Sequence, residues 1–362
     1  MKNEFRFILE PYKGMNTRYN CPSCNQRDKT FTQYIDTESG EHISSSVGRC
    51  NRESNCGYHY TPKQYFQDNK IENGSFQTNT RTRARAYCTY NTTLPKPISF
   101  IPNEILNQTL NPEGYEQNVF IQNLLSRVPF PFEVKDVEKV ISQYYLGTVC
   151  NGYRTGAITF PFIDKGRNVQ AVQVKQFDEN NHTIGTDFLH SIIGKHHQKK
   201  KEALPAWLET YQNNEIKVSC LFGEHLISKY MLNPIALVEA PKTAIYGTLY
   251  FGFPEQPKNL LWLAVYNLSS LNFDKCKALH GRDVYLFPDL SKDGRAFELW
   301  SNRAKELSEL MPGTLFKVSD LLETLAPTEL KDSGADIADL LIKLDWRKFR
   351  PQQLELLPEA IK

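Results

Sequence analysis

Eight cysteines occur in this 362-residue chain, and four fall within the first 56 positions as two pairs: Cys21 and Cys24 in NCPSCNQ, Cys50 and Cys56 in GRCNRESNCGYHY. Two thiolates separated by two residues can grip one ion while backbone amides support the sulfurs, and a second pair closes a tetrahedral Zn²⁺ site. Four protein ligands leave no open position, so such an ion is structural. The second pair is spaced more widely than usual, and His59 is a competitor for Cys56. A redox pair or buried apolar cysteines are the alternative readings.

A second kind of chemistry is carried by acids at the ends of apolar runs. Glu239 follows IALV and Asp289 follows YLFP, with Lys242 and Arg295 each near the start of the helical pattern that comes next. Two carboxylates at neighbouring strand ends can hold Mg²⁺ and leave its other positions to water and phosphate. The ion then stabilises charge in phosphoryl or nucleotidyl transfer. Spacing alone also allows Glu239 to be a strand-end helix cap and Asp289 a turn former in FPDLSKDG. Ser291 stands where a second carboxylate would complete the pair, which leaves Asp293 as the acid that would have to swing in.

These residues need elements to hold them. Between the cysteine pairs, apolar and polar residues alternate around the turn TESGE, as in a β-hairpin joining two knuckles. Arg49, Arg52, Tyr34, Phe31, Tyr58 and His59 place cations and rings on or near this ribbon, a combination suited to phosphates and stacked bases; Phe31 reads better as ribbon core. EQNVFIQNLLSRV and PFEVKDVEKVISQY have helical spacing, AITFPFID and VQAVQVKQFD read as strands, and from residue 235 apolar strands alternate with helices. That alternation predicts a parallel sheet covered on both faces, with ligands collecting at the carboxyl ends of its strands, where Glu239 and Asp289 fall.

The expected fold class is therefore α/β in three parts: a zinc-ribbon domain over 1–66, a basic α+β subdomain over 99–232, and a parallel α/β domain over 233–346. A basic linker at 67–98 and a C-terminal tail at 347–362 complete the chain. The net charge of +2 is too small to argue for nucleic acid by itself. Its distribution says more: TRTRARAY, with Arg81, Arg83 and Arg85, and GKHHQKKKE, with Lys195, concentrate cations in segments that read as loops or solvated linkers. No apolar run is long enough to span a bilayer, and the N-terminus lacks a signal-peptide pattern, so no membrane partner and a cytoplasmic location are expected.

Taken in order, the ribbon, the strand GAITFPFID, the segment LFGEHLI, VEAPKTAI and YLFPDLSKDGRA resemble the bacterial DNA primases and their phage relatives, whose catalytic domain has the TOPRIM fold. The family's Asp-x-Asp-x-x-Gly-Arg pattern runs here through Asp289, Ser291, Gly294 and Arg295, and its isolated glutamate corresponds to Glu239. KDSGADIADLL, with Asp332, Asp336 and Asp339, looks like the family's late acidic segment; helix N-terminal charge placement accounts for Asp332 and Asp336 equally well. The resemblance implies a DNA primase-like nucleotidyltransferase that binds single-stranded DNA and nucleoside triphosphates, uses Mg²⁺ at Glu239 and Asp289, and serves replication of a chromosome or mobile element beside a replicative helicase. Phosphate contacts are expected from Arg49, Arg52, Arg81, Arg83, Arg85, Lys175, Lys195, Lys242 and Arg295. The chain departs from the family at Ser291, in having four cysteines where a histidine is common among the zinc ligands, and in AVYNLSSL, which lacks the glycines often found after the second strand. A catalytically inactive nucleic-acid-binding TOPRIM protein and a TOPRIM nuclease are the alternatives.

Overall fold

The computed structural model describes residues 6–25, 28–52, 56–68, 97–214, 218–331 and 334–350. The chain divides into two compact units, Met1–Pro95 and Lys96–Lys362. Arg81, Arg83, Arg85, Asp332, most of the 67–98 linker and the end of the C-terminal tail lie outside the described residues.

In the first unit, β1 (Phe7–Leu9), β2 (Phe31–Asp36), β3 (Gly48–Cys50) and β4 (His59–Tyr60) form one antiparallel sheet in chain order, followed by α1 (Pro62–Asp68). The expected hairpin is present: Gly40 N–H donates to the Asp36 carbonyl and Asp36 N–H to that of Glu41. The core is small, with Cys21, Phe31 and Cys50 buried and Tyr19 and Tyr58 packed against them. So few apolar side chains cannot hold an isolated sheet together, and an ion held by the four clustered sulfurs would supply the remaining cross-link.

The second unit starts with short helices, α2 (Asn103–Asn107), α3 (Val119–Gln122) and α4 (Val134–Tyr144), before a meander of β5 (Gly147–Thr148), β6 (Ile158–Ile163), β7 (Val169–Phe177) and β8 (Thr183–Phe188). The helical spacing in EQNVFIQNLLSRV forms only α3 and then a π-helical turn at Asn123–Arg127, because Asn118 caps the start with its side chain and Val128 returns to extended backbone. Two helices follow the meander, α5 (Leu189–Lys200) and α6 (Ala206–Asn213). GKHHQKKKE is thus mostly helix and not the loop its charge suggests: Leu189 and Ile192 anchor α5 in the core, leaving the lysines on its outer turns.

The last layer is a parallel sheet of β9 (Ile235–Val238), β10 (Leu261–Ala264), β11 (Asp283–Phe287) and β12 (Leu315–Val318), in the order β10-β9-β11-β12. Its longer helices are α7 (Pro241–Phe251) and α9 (Arg295–Leu310), with the short α8 (Phe273–Cys276) between them and α10 (Leu321–Leu325), α11 (Thr328–Lys331) and α12 (Ile337–Leu341) after β12. β9 is buried along its length and reads as an uninterrupted apolar run, and α7 is buried on nearly all sides. The meander and the parallel layer share one core, in which Phe160 and Phe162 of β6 meet Phe222 edge-on, 5.7 and 6.1 Å between centroids. The other face of the meander buries Val172 and Val174 against Ile101, Leu189 and Tyr211.

Candidate functional site

The sheet order reverses between β9 and β11, and that is where the acids sit. Phe287 lies opposite Val238 in the register, so Glu239, one residue past Val238, and Asp289, two past Phe287, emerge from adjacent strand ends. Leu290 N–H donates to the Ala335 carbonyl at 2.9 Å, tying the Asp289 loop to the segment that enters α12. Four carboxylates thereby converge, Glu239, Asp289, Asp336 and Asp339, with Lys242 and Lys175 among them.

The four acids are not equivalent. Asp336 caps α12: its Oδ1 accepts from Asp339 N–H at 2.9 Å, and Asp339 Oδ2 accepts from Asp336 N–H at 3.1 Å. Asp336 Oδ2 also takes the Thr243 hydroxyl at 2.8 Å and the Lys242 ammonium at 3.1 Å, while Asp339 Oδ1 takes that ammonium at 2.7 Å. Burial raises the Asp336 pKa, but Lys242, Thr243 and the Asp339 amide outweigh it and hold the group below the usual carboxylate range. Burial likewise opposes the charge of Lys242, and the two aspartates overcome it and raise its pKa. Lys242 is therefore locked into a capping-box ion pair.

Asp289 has no such partner. Its Oδ1 is shielded from solvent and accepts no hydrogen bond among the described residues. Burial, then the charge of Glu239 and then that of Asp336, push its pKa well above the ordinary value. Lys175 of β7 reaches the same place from the meander: burial lowers its pKa, with Lys242 adding to the effect and Asp336, Asp289 and Glu239 opposing it. Its ammonium makes no hydrogen bond or ion pair among the described residues. A shielded carboxylate without a donor beside a second carboxylate suits a hard cation, and an unengaged ammonium beside them suits a phosphate. The acids do not form a compact cage: among the described residues, only the four cysteines bring three or more ligand atoms within 4.8 Å of one another.

Ser291 answers a different need. It is 2% exposed, and its Oγ accepts the Ala296 N–H at 2.6 Å, serving one of the unpaired amides at the start of α9. Asp293 and Gly294 both take left-handed backbone, φ 59° and 66°, and Asp293 is exposed on the turn. Arg295 is the first residue of α9. Lys195 lies on α5, 3.6 Å from Asp187, a carboxylate that Arg154 also contacts at 2.8 Å.

In the first unit the sulfurs of Cys21 and Cys56 are 3.6 Å apart and those of Cys24 and Cys50 are 4.0 Å apart. Tetrahedral zinc with Zn–S bonds of about 2.3 Å requires sulfurs about 3.8 Å apart. Amides of Ser23 and Cys24 point at the Cys21 sulfur and that of Arg52 at Cys50, the support expected of knuckles. Burial raises the Cys21 thiol to about 12, so a cation is what would hold it as thiolate. His59 is not a ligand: its Nε2 lies 2.9 Å from the Tyr34 hydroxyl, and the two rings stack at 10°. Arg49 pairs with His59 across β3 and β4 and partly offsets the burial that raises the Tyr34 phenol, so one sheet face carries two rings and a cation. Phe31 and Tyr58 turn to the core, the latter donating its hydroxyl to the Ser46 carbonyl.

Residues 5–71 match the model of a zinc beta-ribbon finger family, and residues 118–290 match a domain of unknown function, DUF6371. The first unit is a zinc ribbon and the second a mixed α/β unit. No curated protein matches the chain. Solved structures similar to it include the catalytic domain of DnaG primase bound to single-stranded DNA, 14% identical with a TM-score of 0.39 over 68% of this chain and 77% of that one, and the primase fragment of the bacteriophage T7 primase-helicase protein, 13% identical with a TM-score of 0.29 over 54% of this chain. The chain spans 64% of the length of the T7 fragment. Among the described residues no helix is long and apolar enough to cross a membrane.

Proposed function

We propose that this chain is a primase-like protein that binds single-stranded DNA through its ribbon and meander and carries out nucleotidyl transfer at Glu239 and Asp289 on a TOPRIM-like layer. The observation that supports this most is the Asp289 carboxylate, shielded, without a hydrogen-bond donor and set against Glu239 at the point where the sheet order reverses. A Mg²⁺ ion would be held by Glu239 and Asp289 and would supply positive charge against the transferring phosphates. With Ser291 committed to α9, Glu239 and Asp289 are the carboxylates that would hold such an ion. Lys175 meets a phosphate oxygen, and Lys242 keeps α7 and α12 in place through its paired aspartates.

Primer synthesis on a single-stranded template with nucleoside triphosphates tests the reading. Product should form with Mg²⁺ and fall at least a hundredfold, on the order seen when a transition-state charge stabiliser is removed, in Glu239→Gln and Asp289→Asn. Undiminished synthesis in both variants removes the assigned site. Lys175→Met should weaken template or nucleotide binding and flatten its salt dependence by about one phosphate contact. The capping role of Ser291 favours a second reading, in which the same surfaces bind template without turnover; salt-dependent binding with no metal-dependent product, and no nicking of circular DNA, would establish it.

A further inference from the structure

Tyr266 follows β10 with φ 113°, in the half of backbone space that bulky side chains avoid. Its N–H donates to the carbonyl of Glu239 at 2.9 Å, so the strained residue is fastened to the candidate site itself. A glycine would hold this turn without strain. The tyrosine ring lies 5.8 Å from Phe188 at an interplanar angle of 30°, and Phe188 lies 5.6 Å from His190 at 29°. The three rings are half-buried at the margin of the core, and the Tyr266 hydroxyl makes no hydrogen bond among the described residues. In the register of β7 and β8, Phe188 lies opposite Gln173 and Thr186 opposite Lys175, which puts the Phe188 ring on the same face of the meander as the unengaged ammonium; Tyr266 also meets Phe162 of that face at 6.1 Å, while His190 packs on Tyr211 at 5.1 Å.

We infer that the Tyr266–Phe188–His190 ladder is a stacking platform for unpaired nucleobases, which rest on the rings while their phosphates reach Lys175. The inference depends on the phosphate reading above for its direction and adds the groups that hold the base. Rings suit this role because every base has a π-face, so the contact tolerates sequence. Burial lowers the His190 pKa, so the imidazole stacks as a neutral ring.

The test compares a fluorescent oligo(dT) 12-mer with an abasic 12-mer that keeps the phosphates, both bound to the full zinc-loaded chain. Replacing Phe188 and Tyr266 together by leucine keeps apolar volume and should weaken oligo(dT) binding about tenfold, from roughly one stacked base, with abasic binding unchanged. Equal loss on both strands, or none on oligo(dT), overturns the platform. Wild-type protein gives an answer independent of variant folding: 5-iododeoxyuridine in the strand should photocrosslink to a peptide containing Phe188, His190 or Tyr266, and crosslinking confined to other peptides overturns the inference. Displacement of that crosslink by ATP would assign the platform to the base of a free nucleotide, and its persistence to the strand. If the wild type binds neither probe, the proposed function falls too; binding of both probes with equal affinity, unaffected by the leucines, removes the platform alone.

Discussion

Replacing Ser291 by alanine separates a helix cap from a degenerate metal ligand. The side chain is 2% exposed and its Oγ accepts the Ala296 N–H at 2.6 Å, so the substitution removes the acceptor while burying the amide that used it. Loss of an N-cap costs about 1 kcal/mol, and leaving a buried donor unmet costs about 1–3 kcal/mol. These describe overlapping parts of one event, so roughly 2 kcal/mol is expected. For a unit of this size that is a fall in Tm of about 4–8 °C. Ser291→Asp retains a capping oxygen and should keep the helix, but it adds a negative charge near Asp289 and Glu239, so its stability should drop in EDTA and recover with Mg²⁺. Differential scanning calorimetry of the three proteins, with and without metal, measures both effects. An alanine variant within 0.5 kcal/mol of the wild type, the range of an inconsequential surface change, would refute the capping argument.

Three further outcomes are expected. Chelation should release one zinc per chain, unfold the ribbon and leave the melting of the second unit unchanged, as followed by metal release and hydrogen exchange; a protected first unit after chelation would contradict it. The folded pKa of Asp289 is raised, so metal-free protein should lose stability as pH climbs from the ordinary carboxylate range through that raised value. Asp289→Asn should therefore have the higher Tm at neutral pH without metal, converge with the wild type in acid and lose stabilisation by Mg²⁺; identical pH profiles would count against the assignment. Gly247→Ala should destabilise by about 1–3 kcal/mol in chemical denaturation despite the better helix propensity of alanine, because an added Cβ would come within 2.2 Å of the Trp262 indole.

Much of this architecture is legible in residue order. Cysteine spacing predicts the ribbon because metal geometry tolerates few arrangements of four sulfurs, and β9 and β10 announce a parallel layer because doubly covered strands must be apolar throughout. Local charge was a poorer guide. The lysines of α5 look like a loop because their density hides the two apolar positions, Leu189 and Ile192, that anchor the helix. Lys242 looks like a phosphate contact until Asp336 and Asp339, nearly a hundred residues on, fold back to bind it.

Residue order alone specifies the types of group available and the strand ends from which Glu239 and Asp289 emerge. Which acid is left without a donor, which lysine is left without a carboxylate and which way Ser291 turns were decided only by tertiary structure. The physical reason is that a carboxylate's chemistry depends on its desolvation and its neighbours. Those neighbours come from α12, β7 and the start of α9, which folding brings together from positions far apart in the chain.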